Sequence, residues 1–283
     1  MNLRAPGLLL LLATLSCGEH SDGLERLEAL YPTPKPKTEE ERPIDDIGTP
    51  MCNGLDGNWA VRLVQKGTIE PLGQPWDLTV TDLFLASKSQ AGTEMQLRFC
   101  NQDVAILADG KRTTLGQPET PATLKSALYL HPLRVPLPGD GTFAARDVVW
   151  LWGLEGLANP LTDALPTKAD YQGDARVIDQ DNDSFPGVTV NVLSPSGQRY
   201  MVRRGIFTFE PGRLALSNQW LTGVLVHQLT EHALGASNTT LETAAPITPR
   251  AEGTMYQLRC VGSTYTCASL EKDHAALFKD APR

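Results

Sequence analysis

Apolar and polar side chains alternate along much of this chain, and that period of two decides its fold class. Met95, Leu97 and Phe99 alternate with Glu94, Gln96 and Arg98; Val188, Val190 and Val192 alternate with Thr189 and Asn191. Successive side chains of a strand point to opposite faces, so the pattern describes strands with one face buried. Stretches of similar character cover residues 59–65, 76–86, 148–154, 198–204, 206–210, 220–229 and 254–261. Turn chemistry separates them: Ser194-Pro195-Ser196-Gly197 joins two strands, and Glu210-Pro211-Gly212 joins two more. Two helical patterns interrupt the series. Thr120-Pro121 precedes 122–128 with a proline suited to a first helical position, and Ser269 is placed to cap a helix running through Leu270, Glu271, Ala275, Leu277 and Phe278. Many short strands with one or two short helices predict a mainly β, antiparallel fold, closed as a β-barrel or folded as a β-sandwich.

The N-terminus is built differently. A short apolar run from Leu8 to Cys17 begins soon after Arg4, closes on Ser16-Cys17 and is followed at once by Gly18. A basic start, about ten apolar residues and a small residue at the cut site make a secretory signal, too short to span a bilayer. Residues 1–20 resemble the signals of bacterial lipoproteins, with small Ser16 directly before Cys17 and Thr14 where that family usually has Leu. The resemblance implies cleavage before Cys17, acylation (palmitate) of Cys17, and residence at the bacterial outer membrane or cell surface. The alternative is an ordinary secretory peptide cut a little further on. Two or more acyl chains hold a protein stably at a membrane without a spanning helix. Between Gly18 and Pro50 lie five prolines and nine acidic residues against four basic ones, so this stretch holds five of the chain's eight net negative charges. Such a composition predicts a disordered tether, spanning roughly 30 Å as a flexible coil. The expected division is a signal peptide at 1–16, a lipid-anchored, proline- and acid-rich linker at 17–50, and a disulfide-braced β domain at 51–283.

Five cysteines are an odd number, and setting Cys17 aside as the lipid carrier leaves Cys52, Cys100, Cys260 and Cys267. An even set in an exported chain predicts two disulfides. The expected pairing is Cys52 with Cys100 and Cys260 with Cys267, because the second pair flanks Val261-Gly262-Ser263-Thr264-Tyr265-Thr266, which reads as a hairpin. Neither pair has the two-residue spacing of zinc ligands.

Gly57-Asn58-Trp59 opens the first strand of the β domain and resembles the Gly-x-Trp element of lipocalin-like barrels. That resemblance implies a tryptophan closing one end of a barrel beneath an arginine from the last strand, the place Arg259 takes, and a C-terminal helix. Thr81-Asp82-Leu83 comes too early for the family's second motif, and the plainer reading makes Trp59 a core aromatic.

The sharpest chemical signal is Asp179-Gln180-Asp181-Asn182-Asp183-Ser184-Phe185-Pro186-Gly187. Carboxylates of Asp179, Asp181 and Asp183 can converge when the chain coils, and hard oxygen ligands suit calcium. The spacing resembles the first half of an EF-hand loop, but Ser184 stands where the glycine would be and Val190 where the bidentate glutamate would be. Asp174 or Asp170 would have to complete the shell. The plainer reading is a solvated acidic turn.

No catalytic constellation is legible: the chain has no Gly-x-Ser-x-Gly elbow, no His-Glu-x-x-His pair, no phosphate loop and no Cys-x-x-Cys. His227 and His232 lie five apart and fall on opposite faces of a strand. The mildly acidic β domain carries no electrostatic footprint for nucleic acid. The preferred reading is a membrane-tethered, non-enzymatic binding or scaffolding protein of the cell envelope, whose partner is an envelope protein, a glycan or an apolar ligand. A calcium-dependent adhesion module and an extracellular hydrolase are the alternatives. A large apolar pocket would favour the first. In a bacterial host, a Cys17→Ala variant is expected to leave the membrane fraction while the parent remains in it; equal retention of both, judged by fractionation and blotting, contradicts acyl anchoring.

Overall fold

The computed structural model describes residues 47–282 apart from 71–72, 89–91, 216–218 and 244–245. Cys17, the signal peptide and all but the last residues of the linker lie outside the described residues. Twelve strands follow in chain order: β1 (Gly57–Ile69), β2 (Trp76–Lys88), β3 (Glu94–Ala108), β4 (Lys111–Thr113), β5 (Pro118–Glu119), β6 (Leu133–Pro136), β7 (Ala145–Trp152), β8 (Val188–Val192), β9 (Gly197–Phe209), β10 (Arg213–Ala215), β11 (Trp220–Ala236) and β12 (Ile247–Val261). Helix α1 (Ala122–Leu130) separates β5 from β6, and α2 (Cys267–Leu277) follows β12. All the strands join in one antiparallel sheet of order β4-β3-β2-β1-β12-β11-β9-β8-β5, with β6 on β3, β7 on β9 and β10 on β11. The fold is mainly β, as the alternation predicts, and the sheet curls into a half-barrel rather than closing.

The alternation explains the two faces. On β1, Trp59, Val61 and Leu63 are fully buried, and the register places them beside inward residues of β2 and β12 along the whole strand. They share a core with Phe84, Met95, Leu97, Phe99, Trp150, Trp152, Phe207, Phe209 and Tyr256. Helix α1 adds Leu124 and Leu128 to it. Sequence reading divides β9 into two strands at Gly205; the structure shows one. Gly205 pairs with Trp150 and Leu229, and a Cβ there would lie 2.9 Å from the Phe207 ring. The glycine admits an aromatic ring and does not end the strand. Strands β4, β5, β6 and β10 are too short to show a period.

The outer face carries a second core. Leu270, Leu277 and Phe278 of the C-terminal segment pack on Ala60, Leu83, Trp220 and Val261. Helix α2 begins earlier than expected, because Thr266 is the cap: its Oγ1 accepts from the Ser269 N–H at 3.2 Å, so Ser269 sits inside the first turn. Pro121 occupies the N-cap of α1, one place before the expected first position.

The cysteines pair differently from the expectation. Cys52 bonds Cys260, and Cys100 bonds Cys267. Cys260 belongs to the inner core, whereas Cys100 and Cys267 belong to the outer one. Residues 261–266 are not a hairpin; they carry the chain from the inner face of β12 to the helix outside, so Cys260 and Cys267 end on opposite sides of the sheet. Each bridge closes a long loop, of 208 and 167 residues, and taken alone stabilises the fold by about 5 kcal/mol in the chain-entropy model.

Trp59 is a core residue whose Nε1 donates to the Leu55 carbonyl at 3.1 Å. Arg259 does not cover it. Arg259 pairs in register with Ala60, on the face opposite Trp59, and its guanidinium lies 4.6 Å over the Trp220 ring. The lipocalin arrangement therefore does not form, although a C-terminal helix is present.

Candidate functional site

Between the two walls of the half-barrel the sheet leaves a cavity of about 660 Å³. Its origin is a change of partner along β11. Residues Trp220–Val224 pair with β12, whereas residues from Leu225 to Ala236 pair with β9. Past Val224, β11 no longer pairs with the wall formed by β1, β2, β3 and β12 and belongs to the wall formed by β7, β8 and β9, and the cavity lies between the two. Leu115, Gly116, Ser194, Pro195, Thr243 and Pro246 line it from the connecting segments.

Three kinds of residue line it. Leu78, Val104 and Ile106 form an apolar cluster with Ile69, Val80 and Ile247 on one wall. Met201, Phe207, Val190 and Trp150 face them from the other. A polar belt lies between the cavity and the packed core: Gln65, Asp82, Gln102, Arg203 and Glu231 occupy inward positions of β1, β2, β3, β9 and β11. Gln65 Nε2 donates to Asp82 Oδ2 at 2.5 Å and Gln102 Nε2 to Asp82 Oδ1 at 2.7 Å. Arg203 donates to Glu231 Oε2 through Nε at 3.2 Å and Nη2 at 2.9 Å, and its guanidinium lies 4.2 Å over the Trp152 ring. Burial pushes the Asp82 carboxyl up to about 6, against the opposing pull of Gln102, Arg203 and Gln65. Half-buried Arg199 also lines the cavity; its Nε donates to the Leu241 carbonyl at 2.7 Å.

None of these residues is singled out by motif. The signal that reaches them is a polar side chain in the core phase of an alternating strand: Gln65 follows Trp59, Val61 and Leu63, and Asp82 falls between Val80 and Phe84. In a strand read alone, such a residue marks only the point where the buried face ends.

Asp179, Asp181 and Asp183 do come together. Each offers an oxygen within 4.8 Å of the others. Asp179 accepts from the N–H groups of Asp183 and Ser184 at 3.1 and 2.8 Å, and Asp181 Oδ2 accepts from Thr189 N–H at 3.0 Å. Asp181 Oδ1 is buried with no hydrogen-bond partner. Burial raises the Asp181 carboxyl; the Thr189 N–H opposes this, and the charges of Asp183 and Asp179 add to it. The loop packs on β7 through Gly153 and Gly187, where a Cβ on Gly153 would collide with the Gly187 backbone. Neither residue expected to complete a calcium shell joins the cluster. Asp174 is paired with Arg176 at 2.6 Å, which holds its carboxyl down at about 2, and Asp170 accepts from Thr167.

His227 and His232 stand on opposite faces of β11, as their spacing predicts. His227 is buried opposite Phe207, and burial lowers its pKa; the His232 ring bonds the Pro166 carbonyl at 3.0 Å. Glu231 between them belongs to Arg203.

Comparison with models of known protein families, with curated proteins and with solved structures gives no match. Among the described residues, no helix is long and apolar enough to cross a membrane.

The raised Asp82 carboxyl links stability to pH. Its folded-state pKa near 6 exceeds the ordinary value near 4, so below about 6 the folded chain takes up a proton that the unfolded chain does not. Stability is therefore gained as pH falls through that window. In urea unfolding at pH 7 and pH 5, the parent is expected to gain on the order of 1 kcal/mol relative to Asp82→Asn; identical pH dependence in the two proteins refutes the assignment.

Proposed function

We propose that this chain is an exported, non-enzymatic binding protein of the bacterial cell envelope, tethered through acylated Cys17, whose half-barrel receives the apolar part of a small amphipathic molecule. The observation that carries the reading is the cavity. About 660 Å³ lies within the range of small-molecule sites, and a largely apolar lining with a few convergent polar groups is their usual composition. The aliphatic wall of Leu78, Val104 and Ile106 offers a ligand apolar contact and no hydrogen-bonding group, which favours hydrocarbon as its occupant. Binding is favoured over turnover because both belt acids are already engaged: Glu231 holds Arg203, and Asp82 accepts from two amides. The tether and the two disulfides suit an oxidising, extracytoplasmic setting.

The neutral fluorophore N-phenyl-1-naphthylamine is expected to bind the folded protein saturably, with micromolar affinity and a rise in fluorescence. Val104→Trp, which places a large side chain in the cavity wall, is expected to weaken that binding at least tenfold while the protein stays folded by circular dichroism. No saturable signal from the parent would remove the cavity as the site.

A second reading is supported by Asp181 Oδ1. A buried carboxylate oxygen without a partner, beside two further carboxylates, suits a calcium ion that pins residues 179–187 against β7 and β8. Isothermal titration with calcium chloride is expected to give binding in the micromolar to millimolar range that Asp181→Asn weakens at least tenfold. No heat and no change in melting temperature at millimolar calcium would end this reading.

A further inference from the structure

The cavity holds two arginines, and the carboxylate whose charge acts on Arg199, that of Glu231, is hydrogen-bonded to the other, Arg203. Arg199 projects from β9 on the same face as Met201 and Arg203, and all three line the cavity. Its Nε is used by the Leu241 carbonyl at 2.7 Å, which holds the guanidinium in place, and neither Nη has a partner among the described residues. The acids nearby are committed elsewhere. Glu231 gives Oε2 to Arg203 at 2.9 Å, and Asp82 accepts from Gln65 and Gln102. Glu70, the remaining acid of the lining, lies at the exposed end of β1. Across the cavity stand Leu78, Val80, Val104 and Ile106, which offer nothing to a charge. A half-buried guanidinium with free Nη donors is a fork shaped for a carboxylate or phosphate, and such pairs are stronger where water is excluded.

We propose that Arg199 is the head-group anchor of this site and that the ligand is an anionic amphiphile, an aliphatic chain ending in an oxyanion. This rests on the amphiphile-binding reading above and names its ligand class. The oxyanion takes the two free Nη donors beside the 240–241 turn, and the chain lies against the β1–β3 wall. Glu231 stays with Arg203, so a cationic head group finds no free acid in the interior. Each methylene covered by the wall contributes about fourfold in affinity until the cavity is filled.

The full chain is titrated at pH 8 and below micelle concentrations with dodecanoate, dodecyl phosphate and dodecanol, following displacement of N-phenyl-1-naphthylamine. Both anions are expected to bind at least tenfold tighter than dodecanol, and octanoate more weakly than dodecanoate. Arg199→Gln is expected to lower the affinity for both anions at least tenfold and to leave that for dodecanol unchanged; Arg199→Lys restores part of the loss. A preference for only one anion identifies which oxyanion the fork takes and supports the proposal. Dodecanol binding as tightly as dodecanoate overturns the head-group assignment and leaves the carrier reading standing, and that comparison needs no variant. The assignment also fails if a folded Arg199→Gln protein keeps full anion affinity. If no amphiphile and no neutral probe binds, the carrier reading itself falls.

Discussion

Strand β11 changes its hydrogen-bonding partner between Val224 and Leu225, and the rest of the domain depends on that change. A strand paired with the same neighbours throughout would continue one layer, and its inward side chains would meet those of the facing layer along their whole length. By giving its first residues to β12 and its remainder to β9, β11 joins two walls at one end and lets them part at the other. The packed core is filled with aromatic rings: Phe84, Phe99, Trp150 and Trp152 are linked by five edge-on and tilted pairs with centroids 5.0–6.1 Å apart. The parted end is the cavity.

The boundary between the two is chemical as well as geometric. Gln65, Asp82, Gln102, Arg203 and Glu231 are inward residues that line the cavity on the side of the packed core. Polar groups there cost free energy unless each is hydrogen-bonded, and they are: the two amides hold the carboxylate, and the ion pair holds itself against Trp152. A belt hydrogen-bonded from within leaves the apolar wall and the Nη groups of Arg199, and it is on these that the proposed ligand rests. The disulfides act on the same frame. Cys52–Cys260 ties the entry of β1 to β12, and Cys100–Cys267 ties the outer helix to β3, so the packed end is cross-linked while the open end is not.

Periodicity made eight of the strands legible because a strand with one buried face must alternate whatever its neighbours are. It misled at Gly205, where a missing side chain reads as a break and serves as a seat for Phe207. It was silent on the short strands and on the cavity, since a polar residue in the core phase looks the same whether it faces a void, a partner or water. The acidic triad was legible because its three carboxylates are close in sequence and the loop that gathers them is local. That Asp174 and Asp170 stay out of the cluster was not, because their partners are Arg176 and Thr167. Cysteine pairing failed for a related reason: closeness in sequence between Cys260 and Cys267 says nothing about which face of a sheet each one reaches.

By itself the sequence determined what is local: a mainly β chain, its turns, its two helices, the gathering of Asp179, Asp181 and Asp183, and an even set of cysteines in the β domain. Only the tertiary structure decided what depends on which strands are neighbours: the half-barrel, the cross-linking of distant cysteines, and the placing of Arg199 across a gap from Leu78 and Val104. Alternation is set by the backbone of one strand, whereas a cavity is set by the separation of two walls, and no single strand carries that distance.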